Sequence, residues 1–228
     1  MIEITTHKIE FISNGGTTPG YLAQPALGMG PGVVVIQEWW GLVPHIQEVC
    51  ERFAHQGFVA LAPDLYHGKA ASEPDEARKL LMEMDRDRAV QEITAAVNHL
   101  KGLAQVTLNK VGVVGFCMGG MLAITTTAAS DQVDAAVAFY GLPRDLSIAG
   151  RIRAPLLGLF AEHDHSFTPE TVRDFEKELE KSGAPHEIHI YPGTQHAFFN
   201  DTRPNIYDPQ AAQDAWERTI RWFQRHLA

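Results

Sequence analysis

Val111-Gly112-Val113-Val114-Gly115-Phe116-Cys117-Met118-Gly119-Gly120 is the stretch on which the reading of the whole chain turns. A run of β-formers ends at Gly115, and a helix-compatible segment follows from Met121 to Ala129. Between them lies Gly-x-Cys-x-Gly, the pattern of a strand-to-helix elbow that carries a nucleophile, with cysteine where serine is more usual. Such an elbow forces its central residue into strained dihedrals, and its neighbours must be small because strand and helix nearly touch there. The Cys117 side chain is then aimed away from the sheet, with the Met118 backbone N–H directed at the same space. A thiol at a helix N-terminus also meets the positive end of the helix dipole, which favours thiolate. An isolated cysteine in an apolar stretch reads first as inert core. The three glycines at 115, 119 and 120 count against that reading here.

Composition sets the outer bounds. The chain has 228 residues, enough for one domain with a large buried core. Its 45% hydrophobic and 21% charged content is ordinary for a globular protein. A net charge of −9 and the lack of any Lys/Arg run argue against duplex nucleic acid as a partner. No apolar run approaches a membrane span, and Met1-Ile2-Glu3-Ile4-Thr5 lacks the basic-then-apolar pattern of a signal peptide. The two cysteines, Cys50 and Cys117, leave a disulfide open but make a thin framework for a chain this long, so a reducing cytoplasm fits better. Cys50, beside Val49 and Phe53, reads as core filler. No Cys/His spacing resembles a zinc site, and no metal is expected; the alternation of His163 and His165 places them on different faces.

The remainder of the chain alternates between strand and helix patterns. Residues 3–12 and 20–24, with Ser13-Asn14-Gly15-Gly16 between them, suggest an antiparallel pair at a sheet edge. Val33-Val34-Val35-Ile36 lacks alternation, which marks a strand covered on both faces. Further strands are expected at Phe58–Pro63, Val133–Tyr140, Ala154–Phe160 and His186–Tyr191. Helices are expected from Pro44 to Gln56, in two pieces from Ser72 to about Gly102, from Thr168-Pro169 to near Gly183, and after Asp208-Pro209. The order implies a mostly parallel, three-layer α/β architecture in a single domain over residues 1–228.

In such sheets ligands bind beyond the carboxyl ends of the strands. Glu38, Cys117, Asp164 and His196 stand at those ends, and their order of nucleophile, acid and histidine is that of the α/β-hydrolases. The segments Gln37-Glu38-Trp39-Trp40-Gly41, Gly115-Phe116-Cys117-Met118-Gly119-Gly120, Glu162-His163-Asp164 and Tyr191-Pro192-Gly193-Thr194-Gln195-His196-Ala197-Phe198 closely resemble the dienelactone hydrolase family. The resemblance runs through nearly the whole chain and implies an α/β-hydrolase fold. It also implies opening of an unsaturated, carboxylate-bearing lactone (dienelactone to maleylacetate) without a cofactor.

Each position suits a role in that chemistry. Cys117 is the candidate nucleophile, forming a thioester acyl-enzyme. His196 is the candidate base and acid, and Asp164 the residue that holds its tautomer. The resemblance implies an oxyanion hole from the Trp39 and Met118 N–H groups, and a Glu38 that contacts the cysteine and takes part in its activation. Plainer readings exist: His196 as one of eleven histidines, Asp164 as a turn cap, Glu38 in a structural pair with an arginine. Trp39, Trp40, Phe198 and Phe199 suit core and pocket wall alike.

Well-studied members hold the substrate carboxylate with arginines, one of them four residues after the catalytic histidine. That position is Asn200 here. Arg78, Arg86 and Arg203, with Phe198, are the substrate-binding candidates, and Arg88 lies in the same cap-like helical region as the first two. A broader carboxylesterase or lactonase acting on an uncharged ester is the alternative. A non-catalytic relative would be expected to have lost part of the triad, and a redox protein would need a partner at Cys-x-x-Cys spacing. A monomer or weak homodimer with a small-molecule partner is expected.

Overall fold

The computed structural model describes residues 2–228 and forms one eight-stranded sheet with helices on both faces. β1 (Ile4–Ser13) and β2 (Gly16–Pro25) are an antiparallel hairpin, closed by Asn14 and Gly15 at φ 50° and 75°. Positive φ at both central residues is what a two-residue hairpin turn requires. β3 (Gly30–Ile36), α1 (Pro44–His55) and β4 (Val59–Pro63) follow, then α2 (Pro74–Glu83) and α3 (Arg86–Lys101). β5 (Val106–Phe116) leads into α4 (Met118–Ala129), then β6 (Ala135–Phe139), a short 3-10 helix (Leu146–Arg151) and β7 (Leu156–His163). α5 (Pro169–Glu180), β8 (His186–Gln195) and α6 (Pro209–Leu227) complete the chain.

The sheet order is β1-β2-β4-β3-β5-β6-β7-β8, and every pair from β4 onward is parallel. Alternate residues of each central strand feed different layers. Val34, Ile36 and Val113 pack with Ile93 and Val97 of α3, Leu122 of α4 and Phe175 of α5. Val33, Val35 and Val114 pack on the other face with Val49 and Phe53 of α1 and Trp216 and Phe223 of α6. Both faces are dry, which explains why these strands read as continuous apolar runs. Cys50 is fully buried in the second layer, where burial pushes its thiol far above the usual range. Both cysteines are free. Among the described residues no helix is long and apolar enough to cross a membrane.

Several elements differ from the sequence expectation: β2 and β5 begin earlier, at Gly16 and Val106, and β6 is confined to Ala135–Phe139. α4 begins at Met118 rather than Met121, because Cys117 is itself the residue that caps the helix and no linker intervenes. β8 runs on to Gln195, which pairs with His163 beyond an irregularity in β7. The 3-10 helix was not anticipated; the Asp145 carboxylate starts it by accepting from the Ser147 N–H at 3.0 Å.

The elbow explains its own glycines. A Cβ on Gly115 would sit inside the Gly119 carbonyl, and one on Gly119 would strike the Ile36 carbonyl of the neighbouring strand. Gly119→Ala is therefore expected to destabilise the protein by about 1–3 kcal/mol, the usual penalty for overpacking, read as a lower denaturant midpoint at unchanged slope.

Candidate active site

Cys117 sits between β5 and α4 at φ 55° and ψ −115°, a region an L-residue enters only under constraint. The constraint is visible in its backbone. The Cys117 N–H donates to the Phe139 carbonyl at 3.0 Å, and its own carbonyl accepts from the N–H groups of Gly120 and Met121. The side chain is thereby raised above the carboxyl edge of the sheet, where it lines a cavity of about 590 Å³.

His196 follows β8 and Asp164 follows β7. His196 Nδ1 lies 2.6 Å from Asp164 Oδ2, with the Asp164 side chain 1% exposed and the His196 ring 32% exposed. The other carboxylate oxygen of Asp164 accepts from the N–H groups of Ser166 at 2.8 Å and Phe167 at 3.1 Å. One aspartate thus both caps a turn and holds the histidine. The ring and Cys117 line the same cavity. Burial works against charge on the ring, but the hydrogen bond to Asp164 and the neighbouring Cys117 outweigh it, and the His196 pKa is pushed up from 6.5 to about 10. Tyr140 and Phe167 pack on the ring, with centroids 5.2 and 6.1 Å away.

Glu38 follows β3 and lines the same cavity, with only 2% of its surface exposed. The contact with the cysteine that the resemblance implied is absent as a hydrogen bond. Instead Tyr140 Oη donates to Glu38 Oε1 at 3.4 Å and Asn200 Nδ2 donates to Oε2 at 2.7 Å. Those two donors hold the carboxylate, one on each oxygen. Trp39 and Met118 line the cavity, and neither N–H donates to a backbone carbonyl among the described residues. Tyr66 Oη donates to Met118 Sδ at 3.5 Å, pinning that side chain.

The proposed substrate contacts fare unevenly. Arg86, at the start of α3, and Arg203 both line the cavity, and Arg203 lies over the Trp40 ring, 5.5 Å from its centroid. Arg78 does not; it sits on the solvent side of α2, 3.5 Å from Asp75, because the amphipathic helix turns its charged face outward. Arg88 is engaged with the buried Glu92 at 2.8 Å. Phe198 is no pocket wall either. It is fully buried, packed between the rings of Tyr191 and Tyr140, because positive φ at Ala197 (66°) turns the chain inward after His196.

Sequence reasoning missed Arg144, which reaches the cavity from the loop after β6. Its place at the carboxyl end of a central strand was the available signal. Asn200 and Tyr140 as holders of Glu38 had no signal in the sequence.

A mostly parallel sheet, an elbow after β5 and the chain order Cys, Asp, His together define an α/β-hydrolase. The chain belongs to the dienelactone hydrolase family, whose model matches residues 18–227. It is 44% identical over 227 residues to Protein usf of Aquifex pyrophilus, covering 96% of this chain and 98% of that one. It is 39% identical over 227 residues to a "Putative carboxymethylenebutenolidase" of Aquifex aeolicus (strain VF5), with the same coverage of 96% and 98%. The crystal structure of a "Putative Dienelactone Hydrolase" from Klebsiella pneumoniae subsp. pneumoniae matches at a TM-score of 0.90 and 29% identity, covering 98% of this chain and 99% of that one. As a member of this family, the protein is a carboxylic ester hydrolase.

The raised His196 pKa means that the folded state holds the ring proton more tightly than the unfolded chain. Its stabilising contribution is full below pH 6.5 and is lost as the pH rises through about 10. An NMR titration of the ring should find its midpoint well above the ordinary imidazole value. Asp164→Asn should lower that midpoint and flatten the alkaline loss of stability.

Proposed function

We propose that the protein hydrolyses a lactone or enol ester through a Cys117–His196–Asp164 triad, and that the substrate carries a carboxylate, with dienelactone opening to maleylacetate as the specific reaction. What carries this reading is the alignment of Asp164, His196 and Cys117, held by the 2.6 Å bond at one end and the strained elbow at the other. In the first half-reaction the Cys117 sulfur attacks the carbonyl carbon while the thiol proton passes to Glu38, which returns it to the sulfur when the thioester is hydrolysed. A carbon–sulfur bond forms, the ring carbon–oxygen bond breaks, and His196 delivers its proton to the departing enolate oxygen. Water then adds to the thioester with His196 as base, releasing the carboxylic acid and restoring the thiol. Asp164 keeps the ring in the right tautomer and balances the imidazolium.

The N–H groups of Met118 and Trp39 serve the tetrahedral oxyanion. Glu38 activates the nucleophile. Its carboxyl group lies buried on the same wall and accepts the thiol proton once substrate fills the cavity. A thiol suits an activated ester with an enolate leaving group, because a thioester made from a poor leaving group would reverse.

The preference for an anionic substrate is supported by Arg86, Arg144 and Arg203. These cations stand around one cavity of a chain whose net charge is −9, and none of them has a carboxylate within 4.0 Å among the described residues. The rest of the lining, including Trp39, Leu81, Met121 and Leu142, offers apolar contact for a conjugated ring.

Cys117→Ala should lower turnover by roughly a thousandfold or more. Its melting temperature should hold, because the glycines set the turn. Retention of most activity would remove the nucleophile assignment. Comparing dienelactone with its neutral methyl ester should show a preference of about tenfold or more for the acid, from charge-assisted bonds to guanidinium. Equal kcat/KM values would favour the broader esterase.

A further inference from the structure

Glu38 is a buried carboxylate whose direct hydrogen bonds come from neutral donors alone. The shorter is from Asn200 Nδ2, at 2.7 Å against 3.4 Å for Tyr140 Oη. Asn200 is itself 2% exposed, and its orientation is settled by its other end. Asn200 Oδ1 accepts from the Thr202 N–H at 3.1 Å and from Thr202 Oγ1 at 2.6 Å, leaving the amide NH₂ to face Glu38. The backbone is pinned as well, since the Asn200 N–H donates to the Ala197 carbonyl and the Asn200 carbonyl accepts from the Arg203 N–H. The loop that opens with His196 therefore also carries the donor that meets Glu38.

A buried carboxylate without a cationic partner costs stability, and apolar or cationic solutions were open to this site. An amide supplies a hydrogen bond and adds no charge. The carboxylate is left on the cavity wall with no cation bound to it among the described residues. The other titratable and charged groups around it are Tyr140 after β6, Cys117 at the elbow, His196 and Arg203 from the loop, Arg86 at the start of α3 and Arg144 after β6. His45 of α1 is taken up by Asp201 at 3.2 Å.

We infer that Asn200 is a positioning residue. By donating to Oε2 it sets the resting place of the Glu38 carboxylate on the cavity wall, and it acts on Cys117 only through Glu38. This rests on the reading of Glu38 as the group that activates the thiol.

Asn200→Asp tests it, since it keeps the size of the side chain but replaces the NH₂ with an oxygen that donates only when protonated. On the intact protein, kcat/KM of N200D relative to the parent should fall roughly tenfold to a hundredfold at neutral pH. The ratio should climb back toward one as the pH falls and the new carboxyl takes up a proton. In a Glu38→Gln background the same substitution should change kcat/KM by less than about twofold, because the charge it acts on is gone. A loss that is independent of pH, or that adds in full to the effect of E38Q, overturns the inference and leaves Asn200 a loop pin. An E38Q protein with parental kcat overturns the role of Glu38 as well. Melting temperatures of all four proteins separate a folding loss from either result.

Discussion

The site exists because the first turn of α4 lies almost in contact with β5 and with the ends of its neighbours. Gly115 faces the Gly119 carbonyl, Gly119 faces the carbonyls of Ile36 and Gln37, and Gly141 faces the carbonyl of Cys117. No side chain fits in those gaps. With the gaps closed, Cys117 is forced to φ 55°, at a cost of roughly 1–3 kcal/mol that the surrounding buried layers offset. The strain lifts the sulfur clear of the sheet and points it at the cavity. A more relaxed turn would leave the thiol beside the strand, out of reach of His196.

Two carboxylates with separate partners stand at that end of the sheet. Asp164 is bound to His196 and favours its charged form; Glu38 is bound to Tyr140 and Asn200. Separation matters, since two carboxylates sharing one partner would compete for its proton. A single loop from 196 to 203 brings in the histidine, the holder of Glu38 and one of the cavity arginines. A shift of that loop would disturb all three at once. The pair of His45 with Asp201 and the stacking of Phe199 on Phe116 hold it to α1 and to the core.

The layered sheet was legible from residue types because its causes are local. Unbroken Val33–Ile36 means burial on both faces, and Thr168-Pro169 and Asp208-Pro209 start helices by their own backbone chemistry. The elbow was legible for the same reason. The arginines were not. Arg78, Arg86 and Arg88 lie within eleven consecutive residues, yet one faces solvent, one the cavity and one a buried glutamate. Which way each side chain goes is decided by helix phase and by neighbours from other elements.

By itself, then, the order of residues determined the strands, the helices, the cramped turn at Cys117 and the succession of sulfur, carboxyl and imidazole along the chain. These follow from sterics and hydrogen bonding among near neighbours. Only the tertiary structure decided that Glu38 rests on Asn200, 162 positions away, and that Arg144 faces the same cavity as Arg86. Those contacts join groups with no local preference for each other. They arise when packing of the two apolar layers brings the carboxyl ends of the strands together, and a linear pattern holds no record of that distance.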